Sequence, residues 1–303
     1  KAGYNAWREF YVNDAGNQIE KFGCSLEARY LQIFKGDEIE FPEDGYQGED
    51  IKDLAKEYAD LNGDSLVKVS AEERKKALVD YALPKNIKKM QADMEKYKIF
   101  YDKWFFESEL HKSGAVKAVV DLLTKKGLTY EKEGAVWYKN KEVLTQKLLK
   151  EGKSQKYIDN LELKDDVLIR QNGNPTYFTA DIAYHKNKFD RGFTTLIDVW
   201  GADHHGHVMR MKGAMDAIGY DGDKLNVVLM QLVKLVKDGE LVRMSKRTGK
   251  AIQLGDLLDE VPVDSARFLF NTKEANTQMD FDLDLAVSQD NQNPVYYVQY
   301  AHA

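Results

Sequence analysis

The spacing of apolar and polar residues changes several times along the chain. The sharpest change lies past the middle of the chain. Residues 193–200 form a compact run of β-branched and aromatic side chains that ends abruptly at Gly201, which is typical of a buried strand. After a polar turn, apolar residues recur at helical spacing as far as Gly219, a residue suited to a helix C-cap. A second apolar run at 225–233 follows, so the pattern predicts strand, helix and strand, as in an open α/β sheet.

Other segments have simpler patterns. Residues 9–12 indicate a strand, and Asn13 to Asn17 supply turn residues before a helix predicted over 18–34. Residues 35–97 are charged and helical in propensity, with one apolar stripe predicted at Ile51, Leu54, Tyr58 and Leu61. A longer stripe predicts one helix that continues to about Ser113-Gly114; its residues are Met90, Met94, Tyr97, Tyr101 and Trp104.

Turn residues divide the segments that follow. A helix is predicted over 115–126, a hairpin over 128–139 around Glu133-Gly134, and lysine-rich helical sequence over 140–163. Residues 167–170 and 176–179 flank a turn at 172–175, which predicts a second hairpin that leads Asp181 to a helix start. The run at 225–236 turns at Asp238-Gly239. Asp256 and Asp264 are expected to cap short helices, and residues 294–303 begin a final helix.

Polar side chains that could carry chemistry concentrate where the strand predicted at 193–200 ends. Asp203, His204, His205 and His207 follow it within a few residues, and a basic loop at 243–247 follows the second run. Ligands of open α/β sheets bind where strands end, because helix N-terminal N–H groups and dipoles favour anions. A phosphate-bearing substrate is therefore expected. Two other interpretations of the cluster are a metal site and a buried polar turn without function.

Composition and motif spacing exclude several classes of protein and of binding site. A chain of 303 residues with 43% apolar residues can bury a large core. Its net charge of −6 argues against a uniformly basic nucleic-acid coat. The single Cys24 excludes an internal disulfide and a multi-cysteine zinc site, which fits a reducing cytosol. No apolar run is long enough for a membrane span, and Gly249-Lys250 fails as a phosphate-binding loop because Met244 and Ala251 replace required residues. We expect a cytoplasmic protein without membrane contact.

Two motifs carry a resemblance to a known family. Trp200 to His207 (WGADHHGH), followed by Arg243-Met244-Ser245-Lys246-Arg247, resembles the catalytic domain of bacterial arginyl-tRNA synthetases, which are class I enzymes. The second motif is similar to the class I Lys-Met-Ser-Lys-Ser loop, with Arg243 in place of its first lysine and Arg247 in place of its last serine. Residues 11–18, 177–181 and 293–303 also resemble the family, whereas about 36–95 and 140–163 do not.

The resemblance implies a fold and a division of the chain. The fold would be a Rossmann-like nucleotide-binding parallel α/β sheet, split by a helical insertion and followed by the start of a C-terminal α-helical bundle. Residues 1–35 would belong to the catalytic domain, 36–165 to a mostly helical insertion, and 166–255 to the second catalytic half. Residues 256–303 would lead to an anticodon-binding domain. The His-Ile-Gly-His motif of the class would lie upstream of Lys1, so we expect a fragment that is inactive alone.

The resemblance also implies an activity and its residues. The reaction would be ATP-dependent activation of L-arginine to arginyl-adenylate, followed by transfer to tRNA(Arg), with Mg²⁺ as the counter-ion of ATP, no tightly bound cofactor, no resident metal and a monomeric protein. The implied catalytic residues are Lys246, Arg243 and Ser245; the ATP-binding residues are Asp203, His204, His207 and Met244; the arginine-binding residues are Tyr177, Asp181 and Glu107; and the residues of a further active-site turn are Asn13 and Asp14.

Each of these assignments has a structural alternative. Asn13 and Asp14 could merely cap a helix, Asp181 could be an ordinary acid near a helix N-terminus, and Glu107 could be an exposed acid at a helix end. Two rival functions also stay open. One is a metal-dependent hydrolase that uses the cluster of Asp203, His204, His205 and His207; the other is a non-catalytic RNA-binding relative.

Overall fold

The computed structural model describes residues 3–242 and 252–303. The chain divides into two compact units. Unit 1 comprises residues 1–106, 234–272 and 280–303, and unit 2 comprises residues 107–233 and 273–279.

Ten strands and thirteen α-helices are found in these ranges. The strands are β1 (Glu9–Val12), β2 (Lys103–Phe106), β3 (Thr129–Lys132), β4 (Ala135–Tyr138), β5 (Asp166–Ile169), β6 (Leu196–Gly201), β7 (Leu225–Met230), β8 (Val233–Lys237), β9 (Glu240–Val242) and β10 (Met279–Asp282). The helices are α1 (Gly16–Lys35), α2 (Glu49–Asn62), α3 (Ala71–Lys96), α4 (Glu107–Lys112), α5 (Ala115–Lys125), α6 (Asn140–Lys150), α7 (Gln155–Asp159), α8 (Tyr177–Asp190), α9 (His205–Ile218), α10 (Leu254–Glu260), α11 (Val263–Phe270), α12 (Leu283–Val287) and α13 (Pro294–His302).

Helices α1, α2 and α3 form the main core of unit 1. Leu26, Tyr30, Ile51 and Leu78 are buried among them, and the Tyr30 hydroxyl donates to the Gly63 carbonyl at 2.8 Å. Ser70 caps α3 by accepting from the Glu73 amide. The predicted stripe on α2 is wrong at its end, because Leu61 is 68% exposed. It lies in the last turn of the helix, one residue before α2 ends.

The helix predicted from Met90 to Ser113 is also wrong. Helix α3 ends at Lys96, and Lys98 adopts a left-handed φ of 59°. Residues 103–106 instead form β2, which pairs in parallel with β1 so that Val12 lies opposite Phe106. The aromatic residues that mimicked a helical stripe suit a strand equally well, and the backbone partner offered by β1 decides between the two.

Unit 2 contains an antiparallel sheet in the order β3-β4-β5. The predicted hairpin between β3 and β4 is confirmed, with positive φ at both Glu133 and Gly134, as a type I′ turn requires. The second predicted hairpin is wrong, because α8 begins at Tyr177. The Thr176 amide donates to the Leu168 carbonyl at 2.9 Å and its hydroxyl to the Val167 carbonyl at 2.8 Å. These bonds tie the helix start to β5 where a second strand was expected.

The predicted strand, helix and strand form a β6–α9–β7 unit. Strands β6 and β7 are parallel, with Leu196 opposite Leu225, and α9 buries Met211, Met215 and Ile218 before Gly219 ends it at φ 104°. Along β6, Leu196 and Asp198 are buried. Ile197 and Val199, which alternate with these two residues along the strand, are largely exposed, so one face of this sheet is open.

The C-terminal segments lie mainly in unit 1. The turn at Asp238-Gly239 between β8 and β9 is confirmed, with positive φ at both residues. Asp256 is not the cap of α10; it is the third helical residue and accepts from the amide of the cap, Gln253. Asp264 does not cap α11 either, since it lies inside the helix and pairs with Lys98 at 2.6 Å. Within the described ranges, no helix has the length and apolarity needed to cross a bilayer.

Candidate active site

The polar cluster lies at the carboxyl end of β6, as the sequence predicted. A single 3₁₀ turn, Ala202–His204, connects the strand to α9, which begins at His205. The side chains of Asp203 and His204 are 82% and 60% exposed and lie 3.5 Å apart. A buried polar turn therefore does not describe these two residues, which instead face solvent at a helix N-terminus.

His207 connects this turn to α8. Its Nε2 lies 3.1 Å from Oδ2 of Asp181, the fifth residue of α8. Tyr177 precedes Asp181 by four residues, so both side chains leave the same face of α8. The structure thus brings Asp181 and His207 into contact and places Tyr177 on the same side of the helix. The carboxyl group of Asp181 keeps 33% of its side-chain surface exposed, so it can still accept from a ligand.

Aromatic rings hold the His207 imidazole. Phe178 lies edge-on to it with ring centroids 5.5 Å apart, and Trp200 lies at 5.4 Å. Trp200 also approaches His204, at 6.3 Å. Because aromatic neighbours restrict the ring on two sides, the orientation of His207 toward Asp181 is supported by packing as well as by the hydrogen bond.

An ion pair lies one turn further along α9. The guanidinium of Arg210 binds both oxygens of Asp166 at the start of β5, with Nε 3.1 Å from Oδ2, and also lies over the Phe178 ring at 4.9 Å. Burial raises the pKa of Asp166, although the Arg210 charge acts in the opposite direction. This pair anchors α9, and therefore His207, to the antiparallel sheet.

His185, Asp198 and Lys188 form a largely buried triad that joins β6 to α8. Asp198 accepts from the His185 Nε2–H and, at 2.7 Å, from the Lys188 ammonium. The other ring nitrogen of His185 is 2.6 Å from the Asp181 carbonyl oxygen. Burial alone would raise the pKa of Asp198, but His185 and Lys188 outweigh it and hold that pKa well below the ordinary value. The triad therefore connects β6 to the turn of α8 that carries Asp181.

Glu107 is the first residue of α4. It is buried, whereas the structural alternative given above was an exposed acid at a helix end. The residue is 3% exposed and lies 3.4 Å from Nε2 of His111, so an exposed helix-end acid is the wrong description. Helix α4 packs against α8. The structure therefore places Glu107 on the helix next to the one that carries Tyr177 and Asp181.

The remaining predicted residues lie elsewhere or outside the described ranges. Asn13 and Asp14 follow β1 in unit 1, where the Asp14 amide donates to the Val12 carbonyl at 3.0 Å. The N-cap of α1 is Ala15, so neither residue holds the capping position. The predicted Arg243, Met244, Ser245 and Lys246 lie outside the residues that the structure describes. Within those residues, no three His, Cys, Asp or Glu side chains form a group that could hold a metal ion.

Sequence reasoning missed five residues of this region: Asp166, His185, Lys188, Asp198 and Arg210. Spacing could have found two of them. His185 follows Asp181 by four residues, and Arg210 follows His207 by three, so each shares a helix face with a predicted site residue. Asp198 could have been recognised as an acid at a buried position of a strand, which requires a charged partner.

Comparisons with known proteins identify the family of this chain. The profile of the family described as tRNA synthetases class I (R), catalytic domain, matches residues 2–291. The chain is 57% identical over 304 residues to an arginine–tRNA ligase of Ruminiclostridium cellulolyticum and 58% identical over 303 residues to that of Caldanaerobacter subterraneus subsp. tengcongensis; each match covers 100% of this chain and 51% of the relative. The chain thus spans about half the length of the curated relatives it matches.

Solved structures show the same fold. A crystal structure assigned as an arginyl-tRNA synthetase from Campylobacter jejuni superimposes with a TM-score of 0.83 at 37% identity, over 99% of this chain and 62% of that one. The arginyl-tRNA synthetase of Thermus thermophilus gives 0.67 at 18% identity, over 99% of this chain and 57% of that one, which supports the fold alone. The matches run through residues 36–95 and 140–163 too, so the resemblance is wider than the motifs indicated. The chain therefore belongs to the catalytic-domain family of the class I arginyl-tRNA synthetases.

Proposed function

We propose that the chain contributes the arginine site and part of the ATP site of an arginine–tRNA ligase. The reaction is activation of L-arginine by ATP to arginyl-adenylate, followed by transfer to tRNA(Arg). The observation that carries this proposal is the contact between Asp181 and His207, with Tyr177 on the same face of α8. It supplies a partly exposed carboxylate, held in place, with an aromatic side chain on the same helix face.

The chemistry of arginine suits this arrangement. A guanidinium is planar, permanently charged and carries a fork of donors, so selecting it over lysine requires carboxylate oxygens in a fixed orientation. His207 and the aromatic rings around it restrict the Asp181 carboxylate. Tyr177 is 42% exposed and can offer a ring face or its hydroxyl to the bound cation. Glu107, on the neighbouring helix, is the second carboxylate assigned to the guanidinium.

ATP is assigned to the exposed turn at the end of β6. Asp203 and His204 stand at the N-terminus of α9, where amide groups and the helix dipole favour a nucleotide. His207 lies between this turn and Asp181, so it can contact both substrates. Lys246 and Arg243, with Ser245 and Met244, are assigned to the leaving pyrophosphate by resemblance. Positioning and charge neutralisation dominate such a transfer, and Mg²⁺ accompanies ATP as its counter-ion.

The proposal also covers the second substrate, the oligomeric state, the cellular location and the turn after β1. The other substrate is tRNA(Arg), and the protein is proposed to act as a monomer in the cytoplasm. Asn13 and Asp14 follow a parallel strand in the way that ligand-binding turns of α/β sheets do, and they stay assigned to the active site.

Calorimetric titration of arginine and of ATP into the complete gene product tests the proposal. Asp181→Asn should weaken arginine binding by about two orders of magnitude, since removing one partner of a charge pair leaves the other uncompensated, while ATP binding changes little. Glu107→Gln should act in the same direction with a smaller effect. Asp190→Asn is the matched control, because Asp190 lies on the same helix and pairs with Lys186.

Two results would contradict the assignment. If Asp181→Asn weakens both ligands equally, or neither, then Asp181 has only a structural role. If the wild-type protein binds neither arginine nor ATP, the rival interpretation as a non-catalytic RNA-binding relative is correct. The metal-dependent hydrolase is not favoured, because the family match and the relatives all belong to the tRNA synthetases.

A further inference from the structure

We propose that the face of the β3-β4-β5 sheet that carries Tyr130 and Trp137 is a binding site for an unpaired nucleotide of single-stranded RNA. The proposal rests on the proposed function only in that tRNA would supply this RNA. The site lies in unit 2 and uses none of the residues assigned above to arginine or ATP.

The two faces of the β3-β4-β5 sheet differ in how deeply their side chains are buried. On the inner face, Tyr138 and Leu168 are fully buried. On the other face, the register places Tyr130 opposite Trp137 and Trp137 opposite Val167, so these side chains form one row across three strands. The three side chains are half-buried. The solvent-facing side of an antiparallel sheet normally carries polar residues, whereas this row is aromatic and apolar.

The two aromatic rings are held as a platform. Their planes differ by 16° and their centroids lie 6.3 Å apart. Trp137 Nε1–H donates to the Lys132 carbonyl at 3.3 Å, and the Tyr130 hydroxyl donates to Asp165 at 2.9 Å. Each ring is therefore fixed by a hydrogen bond at its polar atom. Fixed aromatic faces are the surface on which unpaired bases stack, and they accept any base because every base has a π-face.

A depression of about 400 Å³ lies on this face. Its lining includes Trp137, Val167, Lys132, Arg170, Gln171 and Asn172. The Lys132 ammonium lies 5.7 Å from the Trp137 ring centroid, and Arg170 is exposed at the end of β5. Lys132 lies over the ring face, where its charge suits the phosphate of a bound nucleotide. Gln171 Nε2 donates to the Glu133 carbonyl and Asn172 Oδ1 accepts from the Asn174 amide, which leaves Gln171 Oε1 and Asn172 Nδ2 for base edges or ribose hydroxyls. Glu133 also borders the depression, and its charge opposes a bound phosphate.

Fluorescence anisotropy with a labelled single-stranded RNA decamer tests the site on the full chain, and a blunt RNA hairpin serves as the duplex comparison. We expect the decamer to bind more tightly than the hairpin. Trp137→Ala should lower its affinity about tenfold, the scale found for one stacked base. Lys132→Glu and Arg170→Glu should each weaken binding, and Glu133→Gln should strengthen it. Lys132→Ala should reduce the slope of log affinity against log salt by about 0.7.

Lys117→Glu is the matched control, because Lys117 is an exposed lysine of the same unit and its ion pair with Asp121 lies along its own helix; the variant should leave RNA affinity unchanged. The charge variants Lys132→Glu, Arg170→Glu and Glu133→Gln keep the test valid if Trp137→Ala does not fold. Absence of decamer binding, equal binding of the hairpin, or equal effects of Lys132→Glu and Lys117→Glu would overturn the proposal. Arginine titration of the same samples reports separately on the proposed function, because no residue of this site touches Asp181.

Discussion

Asp198 offers a test of the largely buried triad that joins β6 to α8. The residue is 8% exposed and pairs with His185 and with the Lys188 ammonium. Asp198→Asn keeps the side-chain volume but removes the charge and replaces one of the two acceptor oxygens, which bind His185 and Lys188, with an NH2 donor. Breaking a buried pair from one side costs about 3–5 kcal/mol. Since the amide retains some hydrogen bonding, we expect a loss of about 3 kcal/mol, a large share of the stability of an ordinary domain.

The loss should depend on pH in a defined direction. His185 and Lys188 lower the pKa of Asp198 in the folded state, so its stabilising contribution is fully present above the unfolded-state pKa of about 3.9. The contribution is lost as the pH falls below that value toward the lower folded-state pKa. The difference in free energy of unfolding between wild type and Asp198→Asn should therefore be largest near neutral pH and should shrink below about pH 4.

Urea unfolding followed by circular dichroism measures this difference at several pH values. Asp121→Asn is the matched control, because Asp121 pairs with Lys117 on the surface of α5 and such pairs contribute about 0.3–0.5 kcal/mol. The reasoning about the triad is refuted if Asp198→Asn costs no more than Asp121→Asn. It is also refuted if the cost does not change between neutral pH and pH 3.

Three further predictions follow from single residues. Tyr138→Phe should leave stability unchanged or raise it by up to about 1 kcal/mol in thermal unfolding, because the buried hydroxyl has no hydrogen-bond partner within the described residues; a clear loss would show that this hydroxyl is bonded. Gly222→Ala should lower the free energy of unfolding by about 1–3 kcal/mol, since a Cβ there would lie 2.3 Å from the Lys212 carbonyl oxygen. Gly206→Ala should not lower it, because a Cβ at Gly206 would have no atom within 4 Å. In the complete gene product, Lys246→Ala should slow adenylate formation by about 10²-fold with arginine affinity little changed; unchanged turnover in stopped-flow assays would show that Lys246 does not act on the transition state.

Local signals in the sequence were sufficient for several parts of the fold. The β6–α9–β7 unit, its glycine C-cap at Gly219 and the tight turns at Glu133-Gly134 and Asp238-Gly239 depend on short-range periodicity and on backbone conformations that few residues adopt. The position of the polar cluster after β6 was predictable for the same reason, because a strand end and a helix start are both local features. The family resemblance pointed to Tyr177 and Asp181, and the structure shows that they share a helix face.

Other parts depended on contacts between distant segments. Residues 103–106 have a composition that suits a helix or a strand, and pairing with β1, more than ninety residues earlier, makes them a strand. The burial of Glu107 and the contact between Asp181 and His207 arise where separate helices pack together. The triad of His185, Asp198 and Lys188 likewise joins a strand to a helix. Hydrophobic periodicity reports which face of an element is buried, but it does not identify the element that covers it, and only the tertiary structure decides that.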